Sequence, residues 1–334
     1  MDTALAVNHL SKQFAVGGKL RRGRLHAVDD VSFALVPGRI TALAGESGSG
    51  KSTVARLLLR LYDPTEGEIL FDGKNVASDR SRKDVLAYRS QVQMVFQDPF
   101  GSLNPAKTIR SHIERPMRIH RIVPGDQIEE RVLSLLEEVG LVPAEVYADK
   151  YPHQLSGGQR QRVAIARALA VEPRVLIADE PISMLDVSIR VGILNLMLKL
   201  KEQGIAFLYV THDLASARYV ADDILVMYAG QVVESGPVDE VLANPLHPYT
   251  QLLIASVPDG SKPLERIEIR RGTASAAVDP PAGCRFVNRC PLAIDVCRRV
   301  TPELVEARPE QAARCHVTAP ANDIREGLHA ESAA

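Results

Sequence analysis

Residues 45–53 read Gly-Glu-Ser-Gly-Ser-Gly-Lys-Ser-Thr, between an apolar run at 39–44 and a segment of helical spacing at 52–61. A strand that passes through a Gly-rich loop into a helix restricts the fold sharply. The glycines let backbone N–H groups close around phosphate oxygens, and the helix N-terminus points its amides and dipole at the same charge. Gly45, Gly50, Lys51 and Ser52 fill the Gly-x4-Gly-Lys-Ser pattern, and Ser47, Gly48 and Thr53 complete the loop. In such a loop the lysine supplies a point charge to the β- and γ-phosphates, and the Ser52 hydroxyl ligates Mg2+. A chance Gly-rich turn would not need the strand before it and the helix after it.

The flanking pattern predicts an α/β fold. Residues 5–14 and 31–36 read as strands separated by a Gly- and Arg-rich loop at 16–24. The helix over 52–61 should bury Leu57, Leu58 and Leu61. Residues 68–71 and 74–76 flank Asp72-Gly73, a hairpin signal, and 92–96 reads as a buried strand. From about 104 to 140 the spacing turns helical, with Val132, Leu135, Leu136 and Val139 on one face and Gly140 as a stop. A helix follows over 158–170. Strand and helix then alternate through 175–178, 188–203, 205–210, 214–220 and 224–227, and a hairpin closes the run at 228–233. Alternation of this kind predicts a mostly parallel central sheet covered on both faces, with a helical subdomain inserted at about 100–165. Residues 258–283, rich in Pro, Gly, Ala and Ser, read as a linker, 284–316 hold every cysteine, and 318–334 read as a loose end.

Composition excludes several classes. Hydrophobic residues make up 46% and charged residues 24%, as in a globular protein with an aliphatic core. A net charge of −1 supplies no basic field for nucleic acid. No run reaches the roughly 18 apolar residues of a membrane span. The N-terminus lacks a signal-peptide pattern, so the expected compartment is the cytoplasm. Four cysteines, all after residue 280, build no disulfide framework through the fold.

A second set of residues completes the phosphate site. Residues 175–180, Val-Leu-Ile-Ala-Asp-Glu, form an apolar strand that delivers two carboxylates at its end. Asp179 would hold Mg2+, and Glu180 would polarise an attacking water as general base. An apolar run ending in Asp-Glu is a common strand end, so its weight comes from its company. Residues 155–159 read Leu-Ser-Gly-Gly-Gln. With this motif in place, residues 5–257 resemble the nucleotide-binding subunit of an ABC transporter.

The resemblance implies roles residue by residue. Leu155, Ser156, Gly157, Gly158 and Gln159 match the family signature, which caps the γ-phosphate held by an opposite subunit. A Ser-Gly-Gly turn before a helix also serves as ordinary capping. Gln97 matches the glutamine that touches Mg2+ or the attacking water, which makes Ser52, Gln97 and Asp179 the implied Mg2+ set. His212 matches the histidine that orients water and γ-phosphate. Asp186, in Ser183-Met184-Leu185-Asp186, matches the loop that lines the dimer seam, although Met184 stands where a small residue is usual. Phe14 matches the aromatic that stacks on adenine, with His26 as its rival. The implied fold adds an antiparallel β subdomain to the central sheet and helical insertion. Residues 1–257 would be the nucleotide-binding domain, and 258–334 a linker with a Cys-rich regulatory extension.

Four stretches narrow the resemblance: residues 99–105, 151–162, 247–253, and the cysteine-bearing tail. They resemble the ATPase subunits of oligopeptide and dipeptide importers, whose relatives also serve nickel and glutathione. Such a subunit implies two membrane permeases, a second ATP-binding subunit of different sequence, an extracytoplasmic solute-binding protein, and a peripheral place on the cytoplasmic face of the membrane. Non-transport ABC ATPases carry a long coiled-coil insertion in DNA repair, or two tandem domains on ribosomes, and this chain has neither. A plain phosphate-loop kinase would lack the signature and His212. Cys284, Cys290, Cys297 and Cys315 are spaced x5, x6 and x17, with arginines nearby and no Cys-x2-Cys pair. Four soft ligands in a segment with little core of its own point to an iron–sulfur cluster, with zinc or free thiols as alternatives.

Overall fold

The computed structural model describes residues 3–17, 23–78, 81–98, 100–256 and 278–320. Most of the expected linker, the end of the tail, Pro99 and the middle of the 16–24 loop therefore lie outside the described residues.

Strands β1 (Leu5–Val16) and β2 (Gly23–Leu35) pair antiparallel from Leu5↔Leu35 to Val16↔Gly23. Both run further into the Gly- and Arg-rich stretch than its composition suggested, because cross-strand pairing reaches Val16 and Gly23. With β4 (Glu66–Phe71) and β5 (Lys74–Asn75), joined through Asp72-Gly73, they form a four-stranded antiparallel sheet.

The central sheet has the order β11-β12-β10-β9-β3-β8-β7-β6. Strands β3 (Ile40–Ala44), β6 (Val92–Val95), β7 (Val175–Asp179), β8 (Ala206–Thr211) and β9 (Asp223–Tyr228) are parallel neighbours. β3, β7 and β8 are buried at every position, as expected for parallel strands covered on both faces. Alternate residues serve alternate faces. Ile40, Ala42, Leu176, Phe207 and Tyr209 pack with the helical insertion, whereas Leu43, Ile177, Leu208 and Val210 pack toward the antiparallel sheet. Helix α1 (Lys51–Leu58) lies in that second layer, with Val54, Leu57 and Leu58 buried. Leu61, expected inside, is half exposed: the helix ends at Leu58, and Arg60 turns the chain at a φ of 53°.

Helix α2 (Arg82–Gln91) leads into β6. Helices α3 (Ile109–His120), α4 (Ile128–Glu138), α5 (Ala144–Ala148) and α6 (Gly157–Leu169) form the inserted helical unit. Ile109, Ile113, Met117, Val132, Leu135 and Leu136 share its core. Gly140 closes α4 at a φ of 76°, as the sequence indicates. Helices α7 (Val187–Glu202) and α8 (Leu214–Val220) follow β7 and β8.

The C-terminal part is built onto the central sheet. β10 (Gln231–Pro237) returns antiparallel on β9, and helices α9 (Val238–Ala243) and α10 (Pro248–Ala255) follow. β11 (Val305–Arg308) and β12 (Gln311–Ala313), from the cysteine-bearing segment, then extend the same sheet beyond β10. Among the described residues no helix is long and apolar enough to cross a membrane.

Candidate nucleotide site

The loop after β3 wraps onto its own lysine. Lys51 Nζ donates to the carbonyls of Gly45 (2.7 Å) and Glu46 (2.9 Å). Glycine is required at both ends of the loop. A Cβ on Gly45 would lie 2.2 Å from the Met227 carbonyl oxygen, and one on Gly50 2.2 Å from that of Ala27, with positive φ at each. Lys51 is buried, and burial lowers its pKa against the opposing pull of Glu180, Asp179 and Glu46. Three carboxylates thus act on one ammonium group.

Three parallel strands end side by side and deliver the remaining groups, since strand C-termini of such sheets face the ligand crevice. Asp179 closes β7, and its Oδ1 accepts from Ser52 Oγ at 3.4 Å. Burial chiefly, with Glu180 beside it, raises the Asp179 pKa. Two hard oxygen donors at the loop's end fit the chemistry of Mg2+. Glu180 follows at a φ of 46°, its N–H donating to the Val210 carbonyl at 2.9 Å. Gln97, just beyond β6, donates from Nε2 to Glu180 Oε2 at 3.0 Å, and His212, just beyond β8, puts Nδ1 3.1 Å from Glu180 Oε1. Gln97 and His212 therefore both meet the Glu180 carboxylate, Gln97 through a hydrogen bond and His212 at ion-pair distance. A carboxylate fixed on both oxygens by side chains from neighbouring strands is positioned to take a proton from water.

The signature residues start α6. Ser156 is the N-cap: its Oγ accepts from the Gln159 N–H, and Gln159 Oε1 accepts from the Ser156 N–H at 3.0 Å, a reciprocal capping box. Gln159 Nε2 also donates to Tyr147 Oη at 3.2 Å, so this side chain is engaged within its own chain. Gly158 is buried against α7, where a Cβ would lie 2.4 Å from Ile189 Cγ2. Asp186 caps α7 without a side-chain capping bond, next to exposed Met184 and Val187. Phe14 stacks edge-on against Tyr62 at 5.3 Å, under Lys12. Its rival His26 sits one residue before Ala27, the backbone neighbour of Gly50.

Residues 28–183 match the ABC transporter family, and residues 233–297 match the oligopeptide/dipeptide transporter C-terminal region. The oligopeptide transport ATP-binding protein AppF of Bacillus subtilis (strain 168) is 44% identical over 95% of this chain and 98% of its own. The chain belongs to the ABC transporter ATP-binding family. The di/tripeptide transport ATP-binding protein DppF of Pseudomonas aeruginosa (strain UCBPP-PA14) is 42% identical over 95% of this chain and 98% of its own. Among solved structures, cbiO1 from Clostridium perfringens, part of the ABC transporter complex cbiONQ, aligns with a TM-score of 0.63 at 33% identity, covering 73% of this chain and 92% of that one. A bacterial ABC transporter cassette solved as a dimer aligns at 0.62 and 31%, covering 70% and 98%.

The ABC ATPase carries a feature that motif reading missed: its C-terminal segment is pinned to the nucleotide-binding part by three buried arginines. Arg285 pairs with Asp29, Arg289 with Glu46, and Arg314 with Asp30, and each arginine side chain is 8% exposed or less. Their signal in the sequence is positional: each stands beside a cysteine, in Cys284-Arg285, Arg289-Cys290 and Arg314-Cys315. The 247–253 stretch also has a structural role. His247 Nδ1 accepts from the Tyr249 N–H at 3.0 Å, and Tyr249 Oη accepts from the Glu46 N–H at 2.9 Å.

The cysteines depart from expectation. Cys284, Cys290, Cys297 and Cys315 are free and gather near one another. Yet among the described residues no group of three or more His, Cys, Asp or Glu side chains is placed to hold a metal ion. Burial, with the other three cysteines adding to it, pushes the Cys284 thiol up to about 12. The described residues therefore lend the expected iron–sulfur or zinc centre no support.

Proposed function

We propose that this chain is the ATP-hydrolysing subunit of an importer for di- or oligopeptides, at the cytoplasmic face of a membrane. The observation that carries the reading is the convergence of Gln97, Glu180 and His212 beside Lys51, Ser52 and Asp179 at one edge of the sheet. Residues 1–257 act as the nucleotide-binding domain. Lys51 binds the β- and γ-phosphates, and Ser52 and Asp179, with Gln97, hold the Mg2+ that arrives with ATP and offsets phosphate charge. Glu180 takes the proton of the attacking water, and His212 and Gln97 keep its carboxylate aimed. Phe14 stacks on the adenine.

Peptide as the solute is supported by the relatives' names and by the match of residues 233–297 to the oligopeptide/dipeptide transporter C-terminal region. Pairing with a second ATP-binding subunit follows from the signature. Leu155, Ser156, Gly157, Gly158 and Gln159 cap the ATP on the opposite subunit, with Asp186, Met184 and Val187 at the seam. ATP then joins two chains, so binding favours the closed pair and hydrolysis releases it. A groove of about 520 Å3, lined in part by Leu61, Phe96, Asn104, Arg115 and Ile119, supports docking of a permease. Leu61, Phe96 and Ile119 are exposed apolar side chains of the kind buried at such contacts. A solute-binding protein outside the membrane completes the importer.

Glu180→Gln tests the reading, because an amide keeps the shape and cannot accept the proton. In the assembled transporter, ATP turnover should fall at least ~100-fold, the ordinary contribution of a general base, while ATP affinity changes little. Turnover at the wild-type rate would remove Glu180 from the role of base. Lys51→Ala should instead abolish ATP binding.

A further inference from the structure

Glu46 is an odd residue for its place. It is the second residue of the phosphate-binding loop, and a carboxylate there opposes a polyanionic ligand. Three contacts fix its backbone and its carboxylate. Its N–H donates to Tyr249 Oη at 2.9 Å, its carbonyl accepts from Lys51 Nζ at 2.9 Å, and its two carboxylate oxygens take Nη1 and Nη2 of Arg289 at 3.1 Å each. Two-pronged pairing of this kind fixes direction as well as charge.

Arg289 comes from the cysteine-bearing segment, on a tight turn in which Arg289 N–H and Cys290 N–H both donate to the Phe286 carbonyl. Phe286 is fully buried and anchors that turn against Tyr228 and Tyr249, with ring centres 5.2 and 5.6 Å away. The guanidinium lies 5.8 Å from the Tyr228 ring and 5.7 Å from that of Phe286. The arginine is therefore held by aromatic rings as well as by Glu46. The pairs Arg285–Asp29 and Arg314–Asp30 fasten the same segment to β2 and not to the loop. Anchorage and loop contact are thus carried by different arginines.

We propose that Arg289 is a positioning residue for the nucleotide site: it neutralises and orients Glu46, so that the C-terminal extension sets the ATP affinity of the loop in its own chain. The inference rests on the reading of this loop as the ATP site. Without Arg289 the loop carries an uncompensated negative charge beside the triphosphate, and Glu46 is free to turn inward. A purely structural Arg289 would matter only through the attachment of the extension.

The test is titration of the full chain with the Mg2+ complex of a non-hydrolysable ATP analogue. Arg289→Ala should weaken binding about tenfold, a modest effect for one partly screened charge near the phosphates, and added salt should shrink the difference. The decisive variant is Arg289→Ala with Glu46→Gln, which restores neutrality and should return affinity to within about twofold of wild type. Arg314→Ala loosens the extension without touching the loop and should leave affinity unchanged. If Arg289→Ala does not fold, Arg289→Gln carries the same loss of charge with the side-chain stem kept. Wild-type affinity in Arg289→Ala or Arg289→Gln, or a loss that Glu46→Gln does not rescue, overturns the proposal. Failure of the wild-type chain to bind the analogue would instead overturn the ATP reading beneath it.

Discussion

Glu180 occupies a left-handed backbone conformation that costs a non-glycine residue about 1–2 kcal/mol. The N–H bond to Val210 and the contacts of the carboxylate with Gln97 and His212 offset that cost, and the result is a carboxylate with a single direction. Gly158 shows the opposite constraint, since space and not dihedral angle fixes the residue type. A Cβ there would lie 2.4 Å from Ile189 Cγ2, a methyl on a branched carbon that cannot swing away. Gly158→Ala should destabilise the chain by about 1–3 kcal/mol, as overpacking of a tight contact does. The denaturation midpoint measures it. Adding Ile189→Ala should relieve the clash, so that the double variant loses less than the sum of the two single changes. Additive losses would show that the contact between α6 and α7 yields elsewhere.

Elements with a strong local pattern were legible in the sequence, and elements defined by a distant partner were not. The largely apolar strands β3, β7 and β8 and the amphipathic α4 declare themselves within a few residues. The extra length of β2 comes from pairing with β1. β11 and β12 have four and three residues, too short for any period, and become strands only as β12 pairs with β10 and β11 with β12. Helix α10 has a readable start, but its cap has a consequence for stability. His247 is fully enclosed, and burial drops its pKa to about 3. The unfolded histidine titrates near 6.5, so the folded state binds fewer protons between those values. Stability should be complete above about pH 6.5 and fall as pH drops toward 3, by at most about 1.4 kcal/mol per pH unit from this group. His247→Ser, a neutral cap, should flatten that slope in urea titrations at pH 6.5, 5.5 and 4.5. An unchanged slope would assign the acid sensitivity to other groups.

At the scale of the whole molecule, the candidate nucleotide site was legible because each motif is a short contiguous word, and the sheet brings the words together. The attachment of the extension was not, because Arg285, Arg289 and Arg314 find carboxylates some 250 residues away. The four cysteines invited a metal centre because spacing reveals the presence of soft ligands and not how their side chains are placed. Burial in the folded chain changes the chemistry of Cys284. With its pKa near 12, Cys284 has a thiolate fraction of roughly 10⁻⁴ at pH 8, against about a quarter for an ordinary thiol. Iodoacetamide should therefore label Cys284 in the native chain about a thousandfold more slowly than a free thiol, as only the thiolate attacks. The rate should rise about tenfold per pH unit through pH 10 without a plateau. Arg285→Ala, which frees the extension from Asp29, should accelerate labelling by allowing the segment to open. Peptide mapping after timed alkylation reads both effects. A plateau near pH 9 would mean that the thiol is not shielded by burial. Labelling that waits on a chelator would mean that the sulfurs hold a metal after all.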